Sequence, residues 1–272
     1  MKKENKFLTY LKALPKRWFI TAFSGMAQGL FVTLIAGTIL AQVAGWLGDN
    51  DFGNTLGYIA NIAKALMGAG IGVGIAHALG KHKLLIFSAA AAGMVGAFAD
   101  KLMFGAGVPS VLLTAGLPGN PIGAYVTVML VVELVQLYAG KTKLDILLIP
   151  LGALLLSFAG VFVSYPFIWL VNQLGALIAI ATEITPFVMG IVIAVVMGVL
   201  LTMPTSSAAI WVAVASPVLA LGAAGENYDA MLLAGGAATV GCACHMIGFA
   251  VASFRENGVS GLIAQGGRVY TS

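Results

Sequence analysis

Apolar runs of about fifteen to thirty residues follow one another along almost the whole chain. A helix needs about 20 such residues to cross a hydrocarbon layer about 30 Å thick. Lipid offers no partner for backbone N–H and C=O groups, so only helices and closed barrels can span it. A barrel would show alternating strands of about ten residues, and these runs are longer and unbroken. The fold expected is therefore all-α: a polytopic membrane protein of eight to nine apolar segments, at least one of them broken or re-entrant. Composition agrees, since the 272 residues are 60% hydrophobic and 9% charged with mean hydropathy +1.00. That leaves no room for a soluble domain of ordinary size.

The net charge of +4 does not point to nucleic acid, because six of the fourteen basic residues fall within the first seventeen positions. Lys2, Lys3, Lys6, Lys12, Lys16 and Arg17 form a basic segment, 1–17, that predicts a cytoplasmic N-terminus by the positive-inside rule. The following run is too long for a signal-peptide core. Spans are expected near 18–47, 58–79, 84–105, 121–139, 144–164, 167–182, 187–203, 207–222 and 230–252. In that order Asp49 and Asp51 fall outside, while Lys81, Lys83, Lys141 and Lys143 return inside. The organisation expected is one transmembrane domain, 18–266, followed by a short tail, 267–272.

Beyond residue 165 several runs are too short to span and are interrupted at Thr185-Pro186 and at 203–207. Both interruptions resemble helix starts, with hydroxyls available as caps. Short, proline-broken segments are the best sequence pointer to a transporter's binding site.

Glu133 is the clearest charge inside an apolar run. Counted eight residues back from Lys141, it falls near the bilayer midplane, and an uncompensated carboxylate there costs about 3 kcal/mol. It either bonds to a neighbouring helix or serves a solute or a proton. Glu183 stands just ahead of a helix start, where it is either a loop carboxylate favoured by the helix dipole or a bidentate acceptor for vicinal hydroxyls. Thr182, Thr185, Thr205, Ser206 and Ser207 supply further donors and acceptors beside it. His77 and His245 lie in glycine-rich helices, where packing competes with hydrogen bonding to a solute. Cys242-Ala243-Cys244-His245 contains metal-ligand types, but one helix cannot wrap three neighbours around an ion, so neither a metal nor another cofactor is expected. The glycines of the 67–74 run read as a surface for close helix approach, not as a phosphate loop, because no Gly-Lys-Ser/Thr follows.

Several stretches together resemble the membrane subunit, IIC, of bacterial sugar phosphotransferase systems, in the stand-alone form without fused IIA or IIB domains. They are Gly119-Asn120-Pro121-Ile122-Gly123-Ala124, Glu133, 139–146, 181–187, 203–209, 237–242, 248–250 and Arg255-Glu256-Asn257-Gly258. The resemblance covers about residues 20–266. It implies a dimeric permease of the plasma membrane that binds a sugar or other small polyhydroxylated solute and presents it to a separate, phosphorylated IIB protein. No phosphotransfer residue would lie in this chain. Family members continue past the Arg-Glu-Asn-Gly motif with further membrane segments, so the resemblance also implies that this chain is shortened. Two other readings stay open from the residues: an ion- or proton-coupled carrier of a non-sugar solute, and a solute-sensing membrane protein.

Overall fold

The computed structural model describes residues 14–103, 119–202, 207–219, 225, 227–256 and 258–260. All regular structure among them is helical. The chain divides into two compact units, Met1–Val171 and Asn172–Ser272.

The first unit opens with α1, Leu14–Leu47, whose 34 residues extend about 51 Å. Two stretches of it, Arg17–Ala22 and Phe31–Ile35, are wound as π-helix. A hairpin at Gly48–Asn50 returns the chain through α2 (Asp51–Ala65) and α3 (Met67–Ala78), a pair bent by 50°. Next come α4 (Lys83–Ala97), the single turn α5 (Ala99–Leu102) and α6 (Pro121–Val135).

Glycines decide how these helices pack. On α3, a Cβ at Gly72 would lie 1.9 Å from the Ala89 carbonyl oxygen of α4, and one at Gly74 would lie 2.2 Å from that of Gly25 on α1. Backbone thus meets backbone on both sides of α3, as the small-residue spacing of 67–74 predicts. A similar approach at Gly96 and Gly123 joins α4 to α6. Helices α3, α4 and α6 have 12, 15 and 15 residues, short of the roughly 20 that a lipid-exposed span needs. They form the buried interior of this unit, where Met67, Ile71, Ile75, Leu85, Val128 and Val131 are fully covered.

The start of α6 explains the Gly-Asn-Pro motif. Asn120 Oδ1 accepts hydrogen bonds from the Ile122 and Gly123 amides at 2.9 and 3.1 Å, and the Asn120 amide donates to the Ala97 carbonyl at 2.6 Å. Pro121 takes the first helical position, where a missing N–H costs nothing. Replacing Asn120 with alanine is expected to cost about 1–2 kcal/mol, read as a lower unfolding midpoint in mixed micelles. An unchanged midpoint would mean that the cap contributes nothing.

The expectation of separate runs at 144–164 and 167–182 is corrected: both lie in one 40-residue helix, α7 (Asp145–Ile184), which contains Pro150 and Pro166. The two-unit division falls within it. Proline usually ends a helix in water, but buried helices tolerate it where the freed carbonyls find other partners.

The second unit contains the end of α7, then α8 (Pro186–Thr202), α9 (Ser207–Leu219) and α10 (Tyr228–Ala252). Helices α8 and α10 run parallel, with Gly190 opposite Ala237, Ala194 opposite Gly241 and Gly198 opposite His245. Among the described residues three helices are long and apolar enough to cross a membrane, or four if the bent α2–α3 pair counts as one. An all-α membrane fold is thus borne out, while eight to nine segments are not confirmed as crossings.

Candidate functional site

Glu133 lies two residues before the end of α6, which stops at Val135. The helix does not continue to Lys141, so the residue count back from Lys141 does not measure the depth of Glu133. Its carboxylate Oε1 instead accepts from Arg17 Nη2 at 2.9 Å, and Lys81 Nζ stands 3.8 Å from the same oxygen. These side chains are 16%, 26% and 1% exposed. Arg17 comes from the start of α1, and Lys81 from the α3–α4 turn that Gly80 forms at φ 64°. Two of the basic segments expected on one side of the membrane therefore meet at a single carboxylate. Burial is the largest influence on Lys81 and lowers its pKa, with the Glu133 charge opposing that shift.

The Ala139–Ile146 stretch folds around Asp145. Its Oδ2 accepts from the Gly140 amide at 2.6 Å, and its Oδ1 accepts from the Thr142 amide at 3.3 Å and from the Thr142 hydroxyl. Gly140 is at φ 82°, a conformation open to glycine and strained for other residues. The motif is a turn device leading into α7.

In the second unit the Thr185-Pro186 break is present: α7 ends at Ile184 and α8 begins at Pro186. Glu183 is exposed beside it. The Thr182 hydroxyl is buried and donates to the Ile178 carbonyl at 2.7 Å, and that of Thr185 donates to Ala181 at 3.1 Å. Both retain acceptor lone pairs while their protons are committed to the helix. Thr205 and Ser206 lie outside the described residues, and Ser207 opens α9.

His245 lines a groove of about 550 Å³ between α8 and α10. Its ring meets Phe249 edge-on at 4.9 Å, and its Nε2 is buried without a hydrogen-bond partner. Gly198 faces it from α8. Gly198 lies twelve residues into α8 from Pro186, about 18 Å along the helix, while Glu183 stands on the other side of the break, so His245 and Glu183 flank different ends of α8. His77 lines a second groove, of about 400 Å³, between α1 and α3. Cys242 donates weakly to the Met197 carbonyl at 3.7 Å. Among the described residues no cluster of His, Cys, Asp and Glu could hold a metal ion.

The sequence left the Arg17–Glu133 pair undetected because 116 residues separate its members. The available signal was the recurrence of basic residues on one predicted side. It also passed over the polar α1–α2 hairpin, where Asp49, Asn50, Asp51 and Asn54 crowd together between apolar runs.

A family model described as "Phosphotransferase system, EIIC" matches residues 20–267. No curated protein and no solved structure matches the chain.

Proposed function

We propose that this chain, which belongs to the phosphotransferase system EIIC family, is a permease subunit that takes up a sugar or small polyhydroxylated solute. The observation that carries the reading is the family match, which runs through almost the whole chain. Membership makes the protein an integral membrane component of a phosphotransferase system, with IIA and IIB proteins as the partners it implies.

The N-terminus lies in the cytoplasm in this reading. Arg17 and Lys81 then mark the inner end of the first unit, and Asp49 and Asp51 its outer end. Glu183 is the principal solute contact: it is an exposed carboxylate at a proline break, with the Thr182 and Thr185 oxygens beside it and the Thr205–Ser207 hydroxyls following α8 in sequence. A carboxylate can accept two vicinal hydroxyls at once, which water-exposed amides and hydroxyls do less strongly. His245, at its different level, serves a solute in passage between α8 and α10, and His77 has the corresponding place beside α3. Glu133 acts as the counter-charge to Arg17 and Lys81. The chain works as a homodimer, as the family resemblance implies.

Solute exchange in proteoliposomes tests the assignment. The wild type should exchange at least one labelled neutral sugar or alditol saturably, and Glu183→Gln should lower the rate at least tenfold with the protein still folded. Exchange at the wild-type rate in Glu183→Gln would remove that residue from the site.

A further inference from the structure

At the far end of α1 from Arg17, the α1–α2 hairpin forms an open groove of about 450 Å³ whose lining includes Asp49, Asn54, Tyr58 and Asn61. Its wall is otherwise made of small residues, among them Gly45 and Gly57. We propose that this open hairpin groove binds a neutral polyhydroxylated solute on the face opposite the Arg17–Lys81–Glu133 cluster. The inference rests on the permease reading and adds a second locus to it.

Three features make the groove suitable. The first is its hydrogen-bonding chemistry. Asn50 is used up by the turn, its Oδ1 accepting from the Gly53 amide at 2.7 Å and its Nδ2 donating to the Leu47 carbonyl at 2.7 Å. Asp49 and Asn54, joined by a 2.9 Å hydrogen bond from Asn54 Nδ2 to Asp49 Oδ1, keep the second carboxylate oxygen and the amide oxygen for other partners. Carboxylate and amide groups in one wall match hydroxyls that both donate and accept. The second feature is an apolar platform: Tyr58 is 66% exposed, and its ring offers a flat surface to the C–H face of a sugar. The third is room. A Cβ at Gly45 would meet no atom within 4 Å, and one at Gly57 would make only an ordinary contact with Ala44 at 4.0 Å. The glycines are therefore not there for helix contact, unlike Gly72 or Gly25.

The electrostatics select among solutes. The lining contains Asp49 and no basic residue, so a phosphorylated sugar is repelled where the neutral one is accepted. The opposite end of the unit has the reverse balance, two cations on one carboxylate. That polarity suits a solute that arrives neutral on one face and leaves as an anion on the other.

Photo-cross-linking of the full chain in proteoliposomes tests the site, using a diazirine derivative of a sugar or alditol that the wild type takes up. Label should map to 44–61 and be displaced by the parent solute. Its phosphate ester should displace it at least tenfold less well. Gly45→Leu, which fills the groove from a position where nothing opposes a side chain, should lower the labelling at least tenfold, as should Asp49→Asn with Asn54→Ala. Absence of label from 44–61, or labelling there that Gly45→Leu leaves unchanged, overturns the hairpin site while uptake by the same vesicles leaves the permease reading intact. Equal displacement by the phosphate ester overturns the selection for neutral solutes. If the wild type takes up no sugar or alditol, the permease reading falls and the hairpin site falls with it.

Discussion

Replacing Glu133 with glutamine should destabilise the folded chain by about 3 kcal/mol, the low end of what removing one partner from a buried ion pair costs. The carboxylate is 16% exposed and faces two cations, one of them a lysine with 1% of its side chain exposed. Removing it leaves Lys81 desolvated beside Arg17, with no compensating charge from Glu133. Adding Lys81→Met to Glu133→Gln should therefore recover a large part of the loss, since the second substitution removes a buried charge and keeps an unbranched side chain of similar length. Unfolding in mixed micelles measures both variants. Wild-type stability in Glu133→Gln, with no rescue by Lys81→Met, would show that the carboxylate is kept for another purpose.

The same pair fixes a pH dependence. Burial already lowers the pKa of Lys81 in the folded state, and the Glu133 charge resists that shift, so Glu133→Gln lowers it further. A lysine whose folded pKa lies below its unfolded value costs stability while both states are protonated. That cost falls as pH rises through the folded pKa toward the ordinary lysine range. The deficit of Glu133→Gln should accordingly be largest near neutrality and shrink in alkaline buffer.

The second large effect is steric. Gly72→Ala places a methyl 1.9 Å from the Ala89 carbonyl oxygen, a separation that only movement of α3 away from α4 can relieve. Overpacking of a close-packed interior costs about 1–3 kcal/mol and sometimes more. Here the obstacle is backbone, so the loss should be at least about 3 kcal/mol. Gly45→Ala is the matched control: its Cβ meets nothing within 4 Å, and alanine favours helix over glycine by about 1 kcal/mol. Equal effects from the two substitutions would refute the claim that α3 is held by backbone contact.

The helical class followed from run length, because lipid permits few alternatives. The contact surface of α3 followed from glycine spacing, since small residues at such intervals have few other uses in an apolar helix. The Thr185-Pro186 break also followed, because proline cannot continue the hydrogen-bond ladder and does suit a first turn. Depth and continuity were harder to read. The placement of Glu133 assumed an unbroken helix to Lys141, whereas a turn built on Asp145 intervenes. Pro166 looked like a boundary, yet α7 runs through it.

The candidate site was legible in part for a related reason. Residue type marked Glu183 and His245, but only the parallel pairing of α8 and α10 shows that His245 packs about 18 Å along α8 from the break beside which Glu183 stands. Nor could hydroxyl residues be sorted by type alone: Thr182 and Thr185 turn their protons back onto their own helix. The hairpin groove needed α1 and α2 to be brought face to face before Asp49, Asn54, Tyr58 and Asn61 could be seen as one wall.

The most direct test of the account is uptake into proteoliposomes of a labelled sugar, with the phosphorylated IIB partner supplied on the cytoplasmic side. The account predicts that label accumulates on that side as the phosphate ester and that accumulation stops when IIB cannot be phosphorylated. Accumulation of unmodified solute, driven by a pH gradient and indifferent to IIB, would contradict it and make the protein an ion-coupled carrier.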